Sequence, residues 1–323
     1  MRGILSCILL ASTVLAKSHR HHYIRGSPHS FEETDITASA SASVTVNPSS
    51  QRPTHPNDLW AIAYAPFDTN GSCKDHATIR ADMASIKEVG FKAVRIYNLC
   101  DCDEQTSLTI LPTTRELGLI LIAGLWLEGD DGSSLTKGLS MLTSWGQEGN
   151  WDFLSMVVVG NEMISKGMNP QSLLAKVAEV KSQLTAAGYI GHVTIAETTA
   201  SYVQYPELCQ RSALDIVGAN IHAYFTSTCS ADNAGTEVKD QIRQISAICP
   251  GMEIVVLESG WPSAGGNNGL AIASAEAQVS AVKSLMNSGL NLCLFEFNNS
   301  VWKSNVAEIE RSFGVMHSLA GKA

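Results

Sequence analysis

The sequence predicts an α/β protein whose main domain, residues 58–323, is a (β/α)₈ barrel, and three observations support this fold class. From Asp58 onward, short apolar runs alternate with amphipathic segments of helical period. Eight such runs fit the usual length of this barrel, about 250 residues. The first run leads into Tyr64-Ala65-Pro66-Phe67, whereas an open doubly wound sheet would more often carry a glycine-rich phosphate loop there.

Each predicted strand is a short apolar run bounded by Gly, Asn, Asp or Pro. The eight strands are Trp60–Tyr64, Ala93–Tyr97, Leu119–Leu125, Met156–Val159, His192–Ala196, Ile216–Asn220, Ile254–Leu257 and Leu292–Phe297. Four of the intervening segments carry an apolar stripe of helical spacing, namely Thr78–Val89, Gln171–Ala187, Val238–Ile248 and Ala275–Asn287. Three of these helices are followed by a glycine, where a helix usually ends: Gly90, Gly188 and Gly289.

The first 57 residues differ from the rest of the chain. Residues 1–16 combine a short basic start with an apolar run that ends at Ala16, which predicts a secretory signal peptide. The apolar run is too short to span a bilayer, so we expect no membrane insertion. Residues 17–57 are rich in Ser, Thr and His and have no sustained period, which predicts a flexible linker. We therefore expect a secreted protein, located outside the cell or in the cell wall.

The charge balance excludes some classes of partner. Lys and Arg number 22 against 31 Asp and Glu, for a formal net charge of −9, and charged residues make up 16% of the chain. A chain with so few basic clusters is not expected to bind nucleic acid through its phosphates. The balance favours a neutral or weakly charged substrate, of which polysaccharide is one class, and we expect the protein to be a monomer.

Two strand ends carry carboxylates. In a barrel of this type, functional residues lie at the C-terminal ends of the strands. The fourth predicted strand runs into Gly160-Asn161-Glu162, and the seventh runs into Glu258-Ser259-Gly260-Trp261-Pro262. A lone carboxylate there is about as often a helix cap or a surface charge, but two that face each other across the mouth suit cleavage of a glycosidic bond. In that chemistry one carboxyl donates a proton and the other attacks, so we expect neither a metal nor a cofactor.

These two motifs resemble the signatures of glycoside hydrolase family 17, the β-1,3-glucanases. The resemblance extends from about Trp60 to about Phe313. Other stretches agree with the fungal cell-wall branch of that family, namely residues 71–74, 94–97, 218–225 and 302–303. The resemblance implies a secreted retaining enzyme that cleaves β-1,3-glucan of the cell wall.

The resemblance also implies individual roles. Glu162 matches the general acid/base and Glu258 the nucleophile, and retention would place their carboxyls about 5–5.5 Å apart. Substrate contacts are implied for Tyr97, Asn161, Tyr224, Trp261, Glu296, Trp302 and Lys303, with Asn161 on the sugar 2-hydroxyl and the two tryptophans offering faces for stacking. Ser300 departs from the pattern, because the branch usually carries an acidic residue there. Glu197 either tunes the cleft or is a loop charge, and His222 is expected to be a partly buried, non-catalytic histidine.

The cysteines predict two disulfides. The sequence has 8 cysteines, and the 7 outside the predicted signal peptide leave at least one thiol without an internal partner. Cys73 and Cys102 follow the first two strands, so they share the upper face, while Cys209 and Cys249 precede the sixth and seventh strands and share the lower face. We predict these two bridges, although the sequence alone leaves other pairings open. Cys293 is expected as a buried thiol, and Asn70, in Asn-Gly-Ser, is the predicted glycosylation site.

Several functions compete on the sequence. The leading interpretation is a β-1,3-glucan hydrolase. A β-1,3-glucanosyltransferase would use the same two glutamates, with a sugar hydroxyl in place of water. A non-catalytic glucan-binding wall protein would not need to retain both Glu162 and Glu258. A barrel glycosidase acting on another β-glycan, of cellulose or mannan type, also remains open.

Overall fold

A closed ring of eight parallel strands forms the centre of the described residues. The computed structural model describes residues 60–99, 104–127 and 133–319. The predicted signal peptide, residues 1–16, the predicted linker, residues 17–57, and Cys102 lie outside the described residues. The ring confirms the predicted (β/α)₈ barrel.

The strands follow one another around the ring in chain order, and the last pairs with the first. They are β1 Ala61–Ala63, β2 Ala93–Ile96, β3 Ile120–Leu125, β4 Leu154–Asn161, β5 His192–Thr198, β6 Val217–Asn220, β7 Ile254–Ser259 and β8 Leu292–Leu294. Each predicted strand is present, and its observed ends lie within a few residues of the predicted ones. Two short strands, Asn267–Asn268 and Ala271–Ile272, form a separate antiparallel hairpin between β7 and the next helix.

Helices cover the outside of the barrel. They are α1 His76–Val89, α2 Glu104–Glu116, α3 Ser133–Trp145, α4 Pro170–Ala186, α5 Thr199–Gln204, α6 Ala234–Ile248, α7 Ala275–Met286 and α8 Met316–Leu319. The four predicted helices correspond to α1, α4, α6 and α7. The sequence pattern did not predict α2, since Pro112 interrupts it and adjacent Thr113 and Thr114 have weak helical preference.

Two layers of apolar side chains hold this arrangement together. Small and branched side chains fill the barrel interior, among them Ala61, Ile122, Val158 and Leu257, all at most 2% exposed. A larger cluster packs the outer strand faces against the helices. Because alternate residues of each strand point to opposite faces, strands with both faces buried read as nearly continuous apolar runs. The same burial encloses the thiol of Cys293, which is free and buried as expected.

Cys209 and Cys249 form a disulfide in the structure. Both precede a strand, so the bond lies at the N-terminal end of the barrel, away from the strand ends that carry Glu162 and Glu258. Cys73 is a free and exposed thiol within the described residues, and its predicted partner Cys102 lies outside them, so that bridge stays a prediction. Placement on the same face of a barrel brings two loops to one side, but a disulfide also requires the two Cα atoms to lie within about 7 Å.

Within the part of the chain that the structure describes, no helix combines the length and the apolar character that crossing a bilayer requires.

The disulfide predicts a loss of stability without a loss of activity. Its cysteines are 40 residues apart, and opening a loop of that size removes a constraint on the unfolded chain. We expect the double variant Cys209→Ser/Cys249→Ser to lose about 2–4 kcal/mol of unfolding free energy, measured by denaturant titration. Cys73→Ser is the control and should leave the midpoint unchanged. Equal midpoints for the double variant and the wild type would contradict a stabilising role for the bond.

Candidate active site

The chain turns sharply where β4 ends, and this turn directs Glu162 over the barrel mouth. The pairing of β4 with β5 shifts register between Val158 and Asn161. Gly160 then adopts a φ of 75° and Glu162 a φ of 52°, which is strained for a residue other than glycine. The Glu162 N–H donates to the carbonyl of Ala196 on β5 at 2.8 Å, and this bond holds the turn. On the far side, Asn220 Nδ2 donates to Glu162 Oε1 at 2.9 Å.

Glu258, at the end of β7, is buried and surrounded by hydrogen-bond donors. Its Oε1 accepts from Arg95 Nη1 and from the Tyr97 hydroxyl, each at 2.9 Å. Its Oε2 lies 3.1 Å from His222 Nε2, which donates because an ionised carboxylate can only accept. The rings of Phe295 and Phe313 stand edge-on to the imidazole, each with a centroid distance of 5.3 Å. Three side chains therefore fix the direction of both carboxylate oxygens.

Arg95 connects the two carboxylates. It lies on β2, is 1% exposed, and donates from Nη1 to the Leu257 carbonyl at 2.7 Å as well as to Glu258. Its Nη2 donates to Asn161 Oδ1 at 2.7 Å. Asn220 Nδ2 donates to the same Asn161 oxygen at 3.1 Å and to Glu162. One network of hydrogen bonds therefore extends from Glu258 through Arg95 and the two asparagines to Glu162.

The two carboxyls of this network have opposite pKa shifts. Burial, reinforced by the nearby negative charge of Glu258, raises the pKa of Glu162 above its ordinary value of 4.5. Burial would also raise the pKa of Glu258, but the Arg95 charge and the hydrogen bonds from His222 and Tyr97 outweigh it and lower that pKa to about 2. At a pH between the pKa of Glu258 and the pKa of Glu162, Glu162 carries a proton and Glu258 is ionised.

A cavity of about 240 Å³ opens at the ends of β1 and β8, and Glu296 in its lining is close enough for the Glu258 charge to raise its pKa. Phe67 and Trp302 form an aromatic wall, with ring centroids 4.4 Å apart. Lys74 and Asp82 form an ion pair of 2.7 Å on another side. Glu296 closes the inner side, and within the described residues its buried Oε1 has no hydrogen-bond partner. The lining combines flat apolar faces with hydrogen-bonding groups, as sugar-binding sites require.

Ser300 and Lys303 act on Glu296. Burial raises the pKa of Glu296 to about 7, while the positive charge of Lys303 and a hydrogen bond with Ser300 oppose that shift. The neutral Ser300, which stands where the resemblance implied an acid, therefore adds no further negative charge beside a buried carboxyl. Lys303 Nζ also lies over the rings of Phe295 and Trp302, at 5.4 and 5.6 Å from their centroids.

Four of the seven residues with implied substrate contacts border the pair or the cavity, namely Tyr97, Asn161, Glu296 and Trp302. A fifth, Lys303, lies against Trp302 and acts on Glu296. The Oδ1 atom of Asn161 already accepts two hydrogen bonds, which leaves its Nδ2 group to meet a sugar hydroxyl. Asn70, the predicted glycosylation site, is exposed in the loop after β1.

Tyr224 and Trp261 require a correction, because neither has a face available to a sugar. Trp261 is 0% and Tyr224 is 2% exposed. The indole Nε1 of Trp261 donates to the Ile272 carbonyl at 2.8 Å, and the Tyr224 hydroxyl donates to the Gly266 carbonyl at 3.1 Å. Both side chains therefore support the hairpin at residues 267–272 from beneath. A position just after a barrel strand indicates proximity to the mouth, but not whether a neighbouring loop covers the side chain.

Sequence reasoning assigned no role to Arg95 or Asn220 and a passive one to His222. A usable signal existed for Arg95, since a charged residue within the apolar run Ala93–Ile96 must be paired if it is buried. Asn220 ends β6, and His222 lies two residues further on. Only the closed ring places His222 beside Glu258 and Asn220 beside Glu162. Among the described residues, no group of three or more His, Cys, Asp or Glu side chains is arranged to hold a metal ion.

Curated proteins with similar sequences carry glycosidase names. The chain is 37% identical over 286 residues to a probable beta-glucosidase btgE of Aspergillus terreus. The aligned segment covers 87% of this chain and 49% of that protein. It is 35% identical over 257 residues to the probable beta-glucosidase btgE of Neosartorya fischeri, covering 78% and 45%. The chain thus spans about half the length of these curated relatives.

Solved structures share the fold at lower sequence identity. A glycoside hydrolase family 17 β-1,3-glucanosyltransferase from Rhizomucor miehei is 24% identical with a TM-score of 0.67, covering 80% of this chain and 92% of that one. An endo-laminarinase from Formosa is 17% identical with a TM-score of 0.64, covering 80% and 82%. These likenesses support the barrel.

The family is established by the sequence match itself. Residues 61–314 match the BtgE/BtgC glycoside hydrolase domain. This segment contains all eight strands, both glutamates and the network that joins them. The chain therefore belongs to the BtgE/BtgC glycoside hydrolase family.

Proposed function

We propose that this protein is a secreted, retaining glycoside hydrolase that cleaves β-1,3-glucan through Glu162 and Glu258. The observation that carries the proposal is the pair of strand-end carboxyls, connected by one hydrogen-bond network and shifted in opposite pKa directions. The N-terminal signal pattern supports secretion, and the names of the similar proteins support a β-glucan substrate. The structure of the Rhizomucor miehei transferase mutant was determined with laminaritriose.

In the first step, an ionised Glu258 oxygen attacks the anomeric carbon while Glu162 donates its proton to the departing glycosidic oxygen. The lowered pKa keeps Glu258 ionised, and the raised pKa keeps Glu162 protonated. In the second step, ionised Glu162 takes a proton from water, and the water oxygen displaces Glu258 from the anomeric carbon. Glu162 thus regains its proton and Glu258 its charge.

The side chains around Glu258 orient the attack. Arg95 and Tyr97 both donate to Oε1, whereas among the described residues Oε2 accepts from His222 alone. Burial and the Glu258 charge raise the pKa of Tyr97 well above its ordinary value, so its hydroxyl remains a donor. Oε2 is therefore the less stabilised oxygen and the better nucleophile, and we assign the attack to it.

The cavity at the ends of β1 and β8 is assigned to the donor sugar. The leaving group must touch Glu162, which directly follows β4, so the ring that stays attached to Glu258 lies on the other side of β7. The cavity at the ends of β8 and β1 lies on that side. Trp302 and Phe67 would stack on the pyranose, and Glu296 and Lys74 would bind its hydroxyls.

Transfer to a second glucan is the other candidate. It uses the same covalent intermediate, and a sugar hydroxyl replaces water in the second step. Partly exposed Trp126, after β3, supports this alternative because it lies on the Glu162 side of the mouth, where an acceptor would bind. Lys166, from the loop that follows Glu162, lies 4.3 Å from the centroid of its ring.

Product analysis separates these functions. We expect laminarin, and neither cellulose nor mannan, to be degraded, because the solved structures that share the fold include a β-1,3-glucanosyltransferase and an endo-laminarinase. Chromatography of laminari-oligosaccharide digests gives product lengths. Products only shorter than the substrate indicate hydrolysis, and longer ones indicate transfer. Degradation of cellulose or mannan but not laminarin would contradict the proposed substrate.

Substitution of the pair tests the mechanism. We expect Glu258→Gln to lower turnover by more than about 10⁴-fold, the scale for removal of a nucleophile. Glu162→Gln should lower it by about 10²–10⁴-fold, the usual contribution of a general acid. Added azide should restore turnover of an activated aryl glycoside by Glu162→Ala, giving a product of retained configuration. The exposed Glu207→Gln is the control, and near-normal activity in either catalytic variant would contradict the assignment.

The pH profile tests the contacts to Glu258. Activity requires Glu258 ionised, so its pKa of about 2 sets the acidic limb and the raised pKa of Glu162 sets the basic limb. Tyr97→Phe removes one donor to the carboxylate, which raises the pKa of Glu258 and moves the acidic limb of kcat/KM to higher pH. Tyr189→Phe, which loses only a remote bond to the His192 carbonyl, is the control. An unmoved acidic limb in Tyr97→Phe would count against the assigned role.

A further inference from the structure

Glu197 is a buried carboxyl that the two-glutamate mechanism does not use. It lies near the end of β5, where it pairs with Ala219 of β6, and it is 1% exposed. Its Oε1 accepts the backbone N–H of Ile164 at 3.1 Å. Its Oε2 is buried, and no partner for it occurs among the described residues. Burying a carboxyl oxygen without a hydrogen-bond partner costs folding free energy. We therefore expect this carboxyl to serve the fold or the site.

The bond to Ile164 holds the loop that carries Glu162. Adjacent residues of β5 support this loop at two points: the Ala196 carbonyl accepts from Glu162 N–H at 2.8 Å, and Glu197 accepts from Ile164 N–H. Glu162, whose N–H is the first of these points, keeps its left-handed φ of 52°. A strained backbone of this kind persists only where its surroundings enforce it. Loss of the second support would let the turn relax and would move the Glu162 carboxyl.

The surroundings of Glu197 contain acidic groups and hydroxyls. Glu162 faces it from the loop after β4, and Tyr202 and Ser201 face it from α5. In the described part of the chain, no basic side chain forms an ion pair with it. Burial therefore raises the pKa of Glu197 to about 7, although the bonds from Ile164 and Ser201 oppose the shift.

We propose that Glu197 is a positioning residue, which holds the loop at residues 162–164 so that Glu162 is aimed at the leaving-group oxygen. This inference rests on the proposed function, and it assigns Glu197 to proton transfer rather than to nucleophilic attack. Loss of Glu197 should therefore slow the reaction of a substrate whose leaving group needs protonation. It should not slow the reaction of a substrate whose leaving group departs as a stable anion.

The test compares two leaving groups on one donor. Wild type, Glu197→Ala and Glu197→Gln are assayed on laminaritriose and on dinitrophenyl β-laminaribioside, whose leaving group needs no proton. We expect Glu197→Ala to lower kcat/KM by about 10–100-fold on laminaritriose, as misplacement of a catalytic group does, and by less than about threefold on the dinitrophenyl donor. Glu197→Gln, whose amide oxygen can still accept from Ile164, should recover most of the loss.

The pH profile gives a second readout. Above pH 7 the Glu197 charge opposes ionisation of Glu162, so the uncharged Glu197→Gln should move the basic limb of kcat/KM on laminaritriose to lower pH.

Asp215→Asn is the matched control. Asp215 Oδ2 accepts the Val193 N–H at 2.8 Å at the other end of β5, so it is also a carboxylate that holds a backbone N–H of the barrel. We expect its loss to lower the thermal unfolding midpoint without any leaving-group dependence. Equal losses of Glu197→Ala on both donors, with an unmoved basic limb in Glu197→Gln, would overturn this inference alone. Failure of the wild type on both donors would overturn it together with the proposed function.

Discussion

The pairing of the buried Arg95 guanidinium is the interaction on which the rest of the site depends. A charge enclosed in a barrel interior is tolerated only when it is paired, and removing one partner of such a pair costs about 3–5 kcal/mol. The two Nη atoms of Arg95 meet this requirement with Glu258, the Leu257 carbonyl and Asn161, while its buried Nε has no partner among the described residues. The ends of β2, β4 and β7 are thereby held at one point, and the two glutamates take their positions around it.

This arrangement gives identical functional groups different chemistry. Glu258 is only 5% exposed, yet the Arg95 charge and two further donors lower its pKa to about 2. Among the described residues, Asn220 is the one side chain that donates to Glu162, and this bond and the His222 and Arg95 charges do not outweigh burial and the Glu258 charge, which raise its pKa. The division of roles in the proposed mechanism follows from the number of donors at each carboxyl. Burial by itself would raise the pKa of both.

The backbone contributes as much as the side chains. Gly160 and Glu162 both adopt left-handed conformations within three residues of one another, and this turn directs a carboxyl from the barrel wall to its centre. Glu197 is suited to stabilise such a turn, because its carboxyl lies one residue from the carbonyl that binds Glu162 N–H. The cavity proposed for the donor sugar lies at the ends of β1 and β8, so the proposed site separates proton transfer from sugar binding.

The sequence by itself determined the fold class, the strand positions and the two glutamates. Strands with both faces buried must be apolar throughout, so a polar residue directly after such a run marks the mouth of the barrel. The same periodicity failed for α2, where Pro112 breaks the pattern, and it could not show that the hairpin at residues 267–272 covers Trp261 and Tyr224. Only the tertiary structure decided which partners Arg95, Asn220 and Glu197 have, and hence which glutamate is ionised. The physical reason is that pKa values and exposure depend on groups that are distant in sequence, and closing the ring is what brings those groups together.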